Sequence, residues 1–190
     1  MRPLDVFFSQ PEQRLLAAVL IHPEREFGTL ELLSKIGNSR SAGSLLLQRW
    51  VTAGLLQERR VGNQRRLAAN PDFILYPELR KMALKTVGLA EPLARALTSV
   101  SGRLLEAFVF GSVAAGKDTS DSDIDLVVVG DIDLFTVSPL LDQVEQDLGR
   151  PIHVNVYSGE EWYSSQDAVI QSIKNGPCID LMRELRDTTN

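Results

Sequence analysis

One cysteine, Cys178, and two histidines are all that the sequence offers of the soft metal ligands. No internal disulfide can form, and a zinc site built on Cys and His is excluded by their scarcity. No apolar run approaches the roughly 20 residues that a bilayer crossing needs, which excludes a transmembrane helix. The opening Met1-Arg2-Pro3-Leu4-Asp5 runs on into Gln, Glu and Arg and lacks the apolar centre of a secretion signal, so a cytoplasmic location is expected. There is no internal repeat and no low-complexity tract. What is present, 44% hydrophobic and 24% charged residues in a chain of 190, excludes a disordered or collagen-like chain and allows one large domain or two small ones.

The net charge of −5 argues against a protein coated for nucleic acid, but the charge is unevenly spread. Residues 1–80 hold 11 Lys+Arg against 8 Asp+Glu, a net +3, and the remainder holds 9 against 17, a net −8. That asymmetry indicates two domains with different partners, or uneven surface charge within one. Ala69-Asn70-Pro71-Asp72 carries turn chemistry, and apolar residues then recur at near-helical spacing from Leu79 to Leu97. The expected organisation is a first domain at 1–75, a helical linker at 76–99 and a second domain at 100–190.

Three helical patterns open the chain. Ser9 can cap the first, with Leu15, Leu16, Val19 and Leu20 inside and Pro11-Glu12 in its first turn. The second spans Thr29–Ile36, with Thr29 as candidate cap and Gly37-Asn38 as its stop. The third spans about Ser41–Ala53, with a small, polar opening and with Trp50 and the leucines as core. Gly54 ends it. Two strand-like runs, Leu55–Val61 and Gln64–Ala69, then flank Gly62-Asn63, a hairpin signal. A helix with such an opening suits the major groove, where it would present Arg40, Ser41 and Ser44. Arg59, Arg60, Arg65 and Arg66 on the hairpin could neutralise phosphates or enter the minor groove. Over roughly residues 10–70 this order of elements resembles the winged helix-turn-helix domains of bacterial and archaeal transcription regulators. The resemblance implies double-stranded DNA as partner and a homodimer. The same fold also serves protein contact or dimerisation.

In the second half, Ala107-Phe108-Val109-Phe110 reads as a strand and ends at Gly111-Ser112. A polar loop follows, then a second strand over Ser122–Val129 that opens with Asp123 and Asp125. Two residues apart on a strand, those carboxylates share a face. Mg2+ is commonly held by one or two carboxylates together with substrate phosphates. Gly111 lets the backbone approach a phosphate, and Ser112 offers a hydroxyl and an N–H. Such a set could hold a nucleoside triphosphate with its metal.

Gly111-Ser112 followed after about ten residues by Asp123-Ile124-Asp125-Leu126 resembles the nucleotidyltransferase fold of the DNA polymerase β superfamily, especially its minimal prokaryotic members. The resemblance implies an α+β chain of two domains, an N-terminal winged helix-turn-helix and a C-terminal nucleotidyltransferase fold with a mixed sheet flanked by helices. It makes Asp123 and Asp125 the catalytic, metal-binding carboxylates, Gly111 and Ser112 the nucleotide-binding turn, and Mg2+ the cofactor. It also implies a helical partner protein. A third carboxylate is expected on a later strand, Pro151–Tyr157, and its place falls at Asn155, which is neither a base nor an anion. His153 on the same face is either a substitute base or a polar residue on a sheet. A helix is expected at Ser138–Leu148 with Pro139 in its first turn, and Cys178 as a small buried hydrophobe. The resulting expectation is a DNA-binding transcriptional regulator whose second domain binds nucleotide and Mg2+ with little or no turnover. The alternative is an active transferase that moves AMP onto a protein or small molecule, as in antitoxin-type members. The third possibility is a structural remnant.

Overall fold

The structure is a computed structural model that describes every residue except 1, 23, 38, 120 and 190, and every side chain except those five and 187–189. The expected stop at Asn38 lies outside the described residues. The chain forms two compact units, Met1–Leu89 and Ala90–Asn190.

The first unit runs α1 (Gln10–Leu20), β1 (Phe27–Gly28), α2 (Thr29–Ile36), α3 (Arg40–Thr52), β2 (Leu56–Val61), β3 (Gln64–Ala69) and α4 (Tyr76–Leu84). Glu12 closes the start of α1 by accepting twice from Ser9: the Ser9 N–H donates to Glu12 Oε2 at 2.8 Å and the Ser9 hydroxyl donates to it at 2.6 Å. Gly28, not Thr29, caps α2, so Thr29 is its first helical residue. Ser39 caps α3 by accepting from the Ala42 N–H at 3.3 Å, which starts that helix one residue earlier than its pattern indicates. The hairpin pairs Val61 with Gln64 across Gly62-Asn63. Gly62 alone of the two has positive φ, the arrangement in which glycine takes the first central position of a primed turn.

The two-residue β1 joins the hairpin to give an antiparallel sheet ordered β1-β3-β2. It is too short to leave a periodic signal in the sequence. Leu15, Leu16, Phe27, Leu32, Ile36, Leu47, Trp50, Leu56 and Leu67 fill the core. Leu45 departs from the expected core leucines: it is 71% exposed, because Leu47 and Trp50 take the inward face of α3 and Leu45 falls on the outward one.

The second unit runs α5 (Ala90–Leu97), β4 (Leu104–Phe110), α6 (Gly111–Ala115), β5 (Ile124–Gly130), α7 (Leu134–Leu148), β6 (Ile152–Tyr157), α8 (Gly159–Ser164), α9 (Ala168–Asn175), β7 (Ile179–Asp180) and α10 (Met182–Thr189). Residues 76–99, expected as a linker, thus supply a helix to each unit. The sheet is mixed, ordered β6-β5-β4-β7, with β5 and β6 parallel and the other pairs antiparallel. The central β5 is apolar on both faces, as a strand covered on both sides must be. One of those faces packs Phe108, Val127 and Val129 against Trp162 and Ile170.

Two expectations are corrected. Pro139 lies inside α7 rather than in its first turn, because Asp133 caps the helix by accepting from the Thr136 N–H at 2.8 Å and so starts it four residues early. Cys178 is exposed, since it precedes β7 and the adjacent Ile179 takes the buried place.

Candidate functional site

Strand β4 ends at Phe110, which pairs with Asp125 of β5. The chain then turns through Gly111 at φ 72°, a left-handed conformation that favours glycine. A Cβ added there would collide with the Asp125 carboxylate at Oδ2. Gly111 is therefore required twice, for its backbone angle and for the bare surface it lays against the acid. Asp123 stands just before β5, which begins at Ile124, and its carboxylate is partly open to solvent.

The strand register decides which residue of β6 meets these acids. Asp125 pairs with His153, and Val127 pairs with Asn155. His153, two positions before the place expected for a third carboxylate, is thus the residue opposite Asp125. Its Nδ1 lies 3.7 Å from Asp123 Oδ2. Both His153 and Asn155 lie between apolar residues, so only the register separates them. The Asp125 carboxyl is held above the usual carboxylate range, chiefly by burial and further by the neighbouring Asp123, while His153 acts in the opposite direction.

Phe110, Gly111, Asp125, His153, Asn155 and Tyr157 line one side of a cleft of about 780 Å³, and α9 supplies the other. Among the described residues, Ser112 and Asp123 stand outside its lining. No group of three or more His, Cys, Asp or Glu side chains clusters as a metal site among the described residues.

Arg150, in the turn between α7 and β6, supports the site from a position that no local sequence pattern marks. It is only 3% exposed. Its Nη1 donates to Asp118 Oδ2 at 2.9 Å, and its Nε and Nη2 donate to the Ser122 carbonyl at 2.9 and 2.6 Å. This guanidinium ties Asp118 and Ser122, both on the loop between the glycine turn and Asp123, to the start of β6. Only the partner 32 residues away identifies it, and no local pattern reports that.

In the first unit, Arg40 and Ser41 open α3, and Ser44 follows one turn later; all three are exposed. The four hairpin arginines divide between two faces, because Arg59 pairs with Arg66 and Arg60 with Arg65. Arg65 donates to Gln48 of α3 at 3.2 Å and forms an ion pair with Glu58 at 2.8 Å. Arg59 grips Glu26 with two bonds of 2.7 and 2.6 Å. The hairpin is therefore less uniformly basic than its sequence suggests.

Residues 93–176, all within the second unit, match the family described as nucleotidyltransferase domain. A protein of Methanocaldococcus jannaschii named "Putative protein adenylyltransferase" is 39% identical over 59 residues, 31% of this chain and 59% of that protein. The chain thus spans less than two thirds of that relative's length. Among solved structures, "a putative nucleotidyltransferase from Sulfolobus solfataricus" is 20% identical, with 44% of this chain and 78% of that chain covered at a TM-score of 0.32. No described helix is long and apolar enough to cross a membrane.

Proposed function

We propose that this protein is a DNA-binding regulator whose nucleotidyltransferase domain holds a nucleoside triphosphate with Mg2+. The observation that carries the nucleotide half is the Asp125 carboxylate packed on the bare, left-handed Gly111 turn at a cleft of about 780 Å³. That arrangement supports phosphate approach along the Gly111-Ser112 backbone, with Asp123 and Asp125 as metal ligands. The donor chemistry suits Mg2+: Asp123 and Asp125 would hold the ion through their carboxylates, with phosphate oxygens of the nucleotide as further ligands. When bound, the ion would neutralise phosphate charge and draw electrons from the α-phosphorus. Gly111 admits the phosphates, Asp123 and Asp125 fix the ion, and His153 stands next to both acids.

The DNA half rests on the first unit. Three helices followed by a hairpin, with a short third strand, support the winged helix-turn-helix reading. The outward face of α3 carries Ser41, Ser44, Leu45 and Gln48, a set suited to base edges. A second reading, an active transferase of AMP onto a protein, is favoured by His153, a side chain able to take a proton, placed opposite Asp125.

These halves are tested separately. Asp123→Asn/Asp125→Asn is expected to abolish Mg2+-dependent ATP binding in calorimetry; undiminished binding would put the nucleotide elsewhere. The single Asp125→Asn carries a stability signature as well. A carboxyl whose pKa is raised in the folded state binds its proton more tightly there than when unfolded. The metal-free protein therefore loses stability as pH rises from the ordinary carboxylate value, about 3.9, through the raised one. Asp125→Asn should remove that loss, read as the urea midpoint against pH. A pH-dependent loss identical to wild type would refute the assignment.

For DNA, replacing Arg40, Arg60 and Arg66 with Ala should weaken duplex binding and lower the slope of log affinity against log salt by about 1 per lost phosphate contact. Arg59→Ala should change little, because Glu26 already holds that guanidinium. An unchanged salt slope in the triple variant would sink the hairpin and α3 as the DNA-binding surface.

A further inference from the structure

The cleft has a chemical gradient along its length. On β6, His153, Asn155 and Tyr157 point to one face and pair in turn with Asp125, Val127 and Val129 of β5. At roughly 3.3 Å per residue, Tyr157 lies about 13 Å along the strand from His153. The walls change over that distance. Phe110, Gly111, Asp125 and His153 stand at one end of the β6 wall, the amide of Asn155 in the middle and Tyr157 at the other end, while Val169, Ser172 and Ile173 of α9 line the opposite side.

Tyr157 is a firm platform, because its ring packs on Trp162 at 5.3 Å between centroids. Trp162 in turn meets Phe108 at 5.8 Å, and Lys174 caps it by donating to its carbonyl. Across the cleft, Val169 is 65% exposed, an aliphatic side chain with a large share of its surface uncovered. Anionic, hydrogen-bonding and apolar ligand parts would meet suitable walls in that order, which is the order of phosphate, sugar and base.

Building on the nucleotide reading above, we propose that the cleft takes a ribonucleoside triphosphate lengthwise along β6. The ribose hydroxyls lie at Asn155, and the base lies between Tyr157 and the Val169–Ile173 face of α9. On this assignment Asn155 is no degenerate acid. Its amide both donates and accepts, which matches a ribose hydroxyl better than a carboxylate would. The apolar end binds the face of a base and so tolerates different bases.

Calorimetry on the full chain in Mg2+ tests this with three probes: ATP, 2′-deoxy-ATP and inorganic tripolyphosphate. Wild type should bind ATP about tenfold more tightly than tripolyphosphate, as one base contact of this kind supplies. Val169→Asn, an uncharged change at an exposed position, should reduce that advantage while leaving tripolyphosphate affinity unchanged. Asn155→Ala should erase a preference for ATP over 2′-deoxy-ATP of about three- to tenfold. The proposal is overturned if wild type binds ATP and tripolyphosphate equally, or if both variants keep the wild-type pattern. Failure of wild type to bind either probe would instead overturn the nucleotide reading itself, so the two failures are distinguishable.

Discussion

Arg150→Met is expected to destabilise the second unit by about 3–5 kcal/mol, the cost of removing one partner from a buried ion pair. The guanidinium is nearly inaccessible and the Asp118 side chain it meets is wholly buried. Removing it takes this ion pair from the buried carboxylate and two donors from the Ser122 carbonyl. Arg150→Lys should recover only part of the loss, because one ammonium cannot reproduce a planar fork that reaches an acid and a carbonyl together.

The two tryptophans make the measurement specific, since Trp50 is buried in the first unit and Trp162 in the second. In a Trp50→Phe background, urea unfolding followed by fluorescence reports the second unit through Trp162. An unchanged midpoint in Arg150→Met would show that the clamp contributes nothing. Its placement also links stability to the site. Ser122 shares a peptide bond with Asp123, so a freed loop misplaces the first of the two carboxylates. Mg2+-dependent ATP binding should weaken in Arg150→Met under conditions where the protein remains folded.

The parts of this molecule that its sequence reveals are those fixed by neighbours in the chain. The Asp-apolar-Asp spacing sets Asp123 just ahead of β5 and Asp125 within it, both near His153, and Gly62-Asn63 closes the hairpin through its own backbone preference. Gly111 combines a strand end with a positive φ, again a local matter. The missed features depend on partners far along the chain. The register of β6 against β5 decides whether His153 or Asn155 meets Asp125, and both fit the same alternation. Arg150 reads as a turn residue until Asp118 is brought beside it. The start of α7 shows the same limit at close range. Asp133 and Ser138 are both acceptable caps, and the one that accepts from an N–H while lengthening the apolar face wins.

That register redirects the test of catalysis. On the reading by resemblance, transfer activity needs a third carboxylate beside the first two. The position opposite Asp125 belongs to His153, not Asn155. His153→Asp is therefore expected to raise nucleotide transfer, by about 10²–10⁴-fold if the new acid acts as the general base for the attacking hydroxyl. The side chain at 153 is open to solvent, so a smaller residue there leaves the core undisturbed. Three acids would then converge, which should tighten Mg2+ and Mn2+ binding and lower the stability of the metal-free protein through like-charge repulsion.

Asn155→Asp provides the contrast. It puts its charge opposite Val127, farther along the cleft, so it should leave transfer near the wild-type rate while disturbing the proposed ribose contact. Radiolabelled nucleotide transfer in wild type and both variants separates the cases. A gain in Asn155→Asp with none in His153→Asp would refute the register argument. Brisk transfer by wild type, lost in His153→Ala, would make the histidine itself the proton acceptor and favour the active-transferase reading over the regulator that only binds nucleotide.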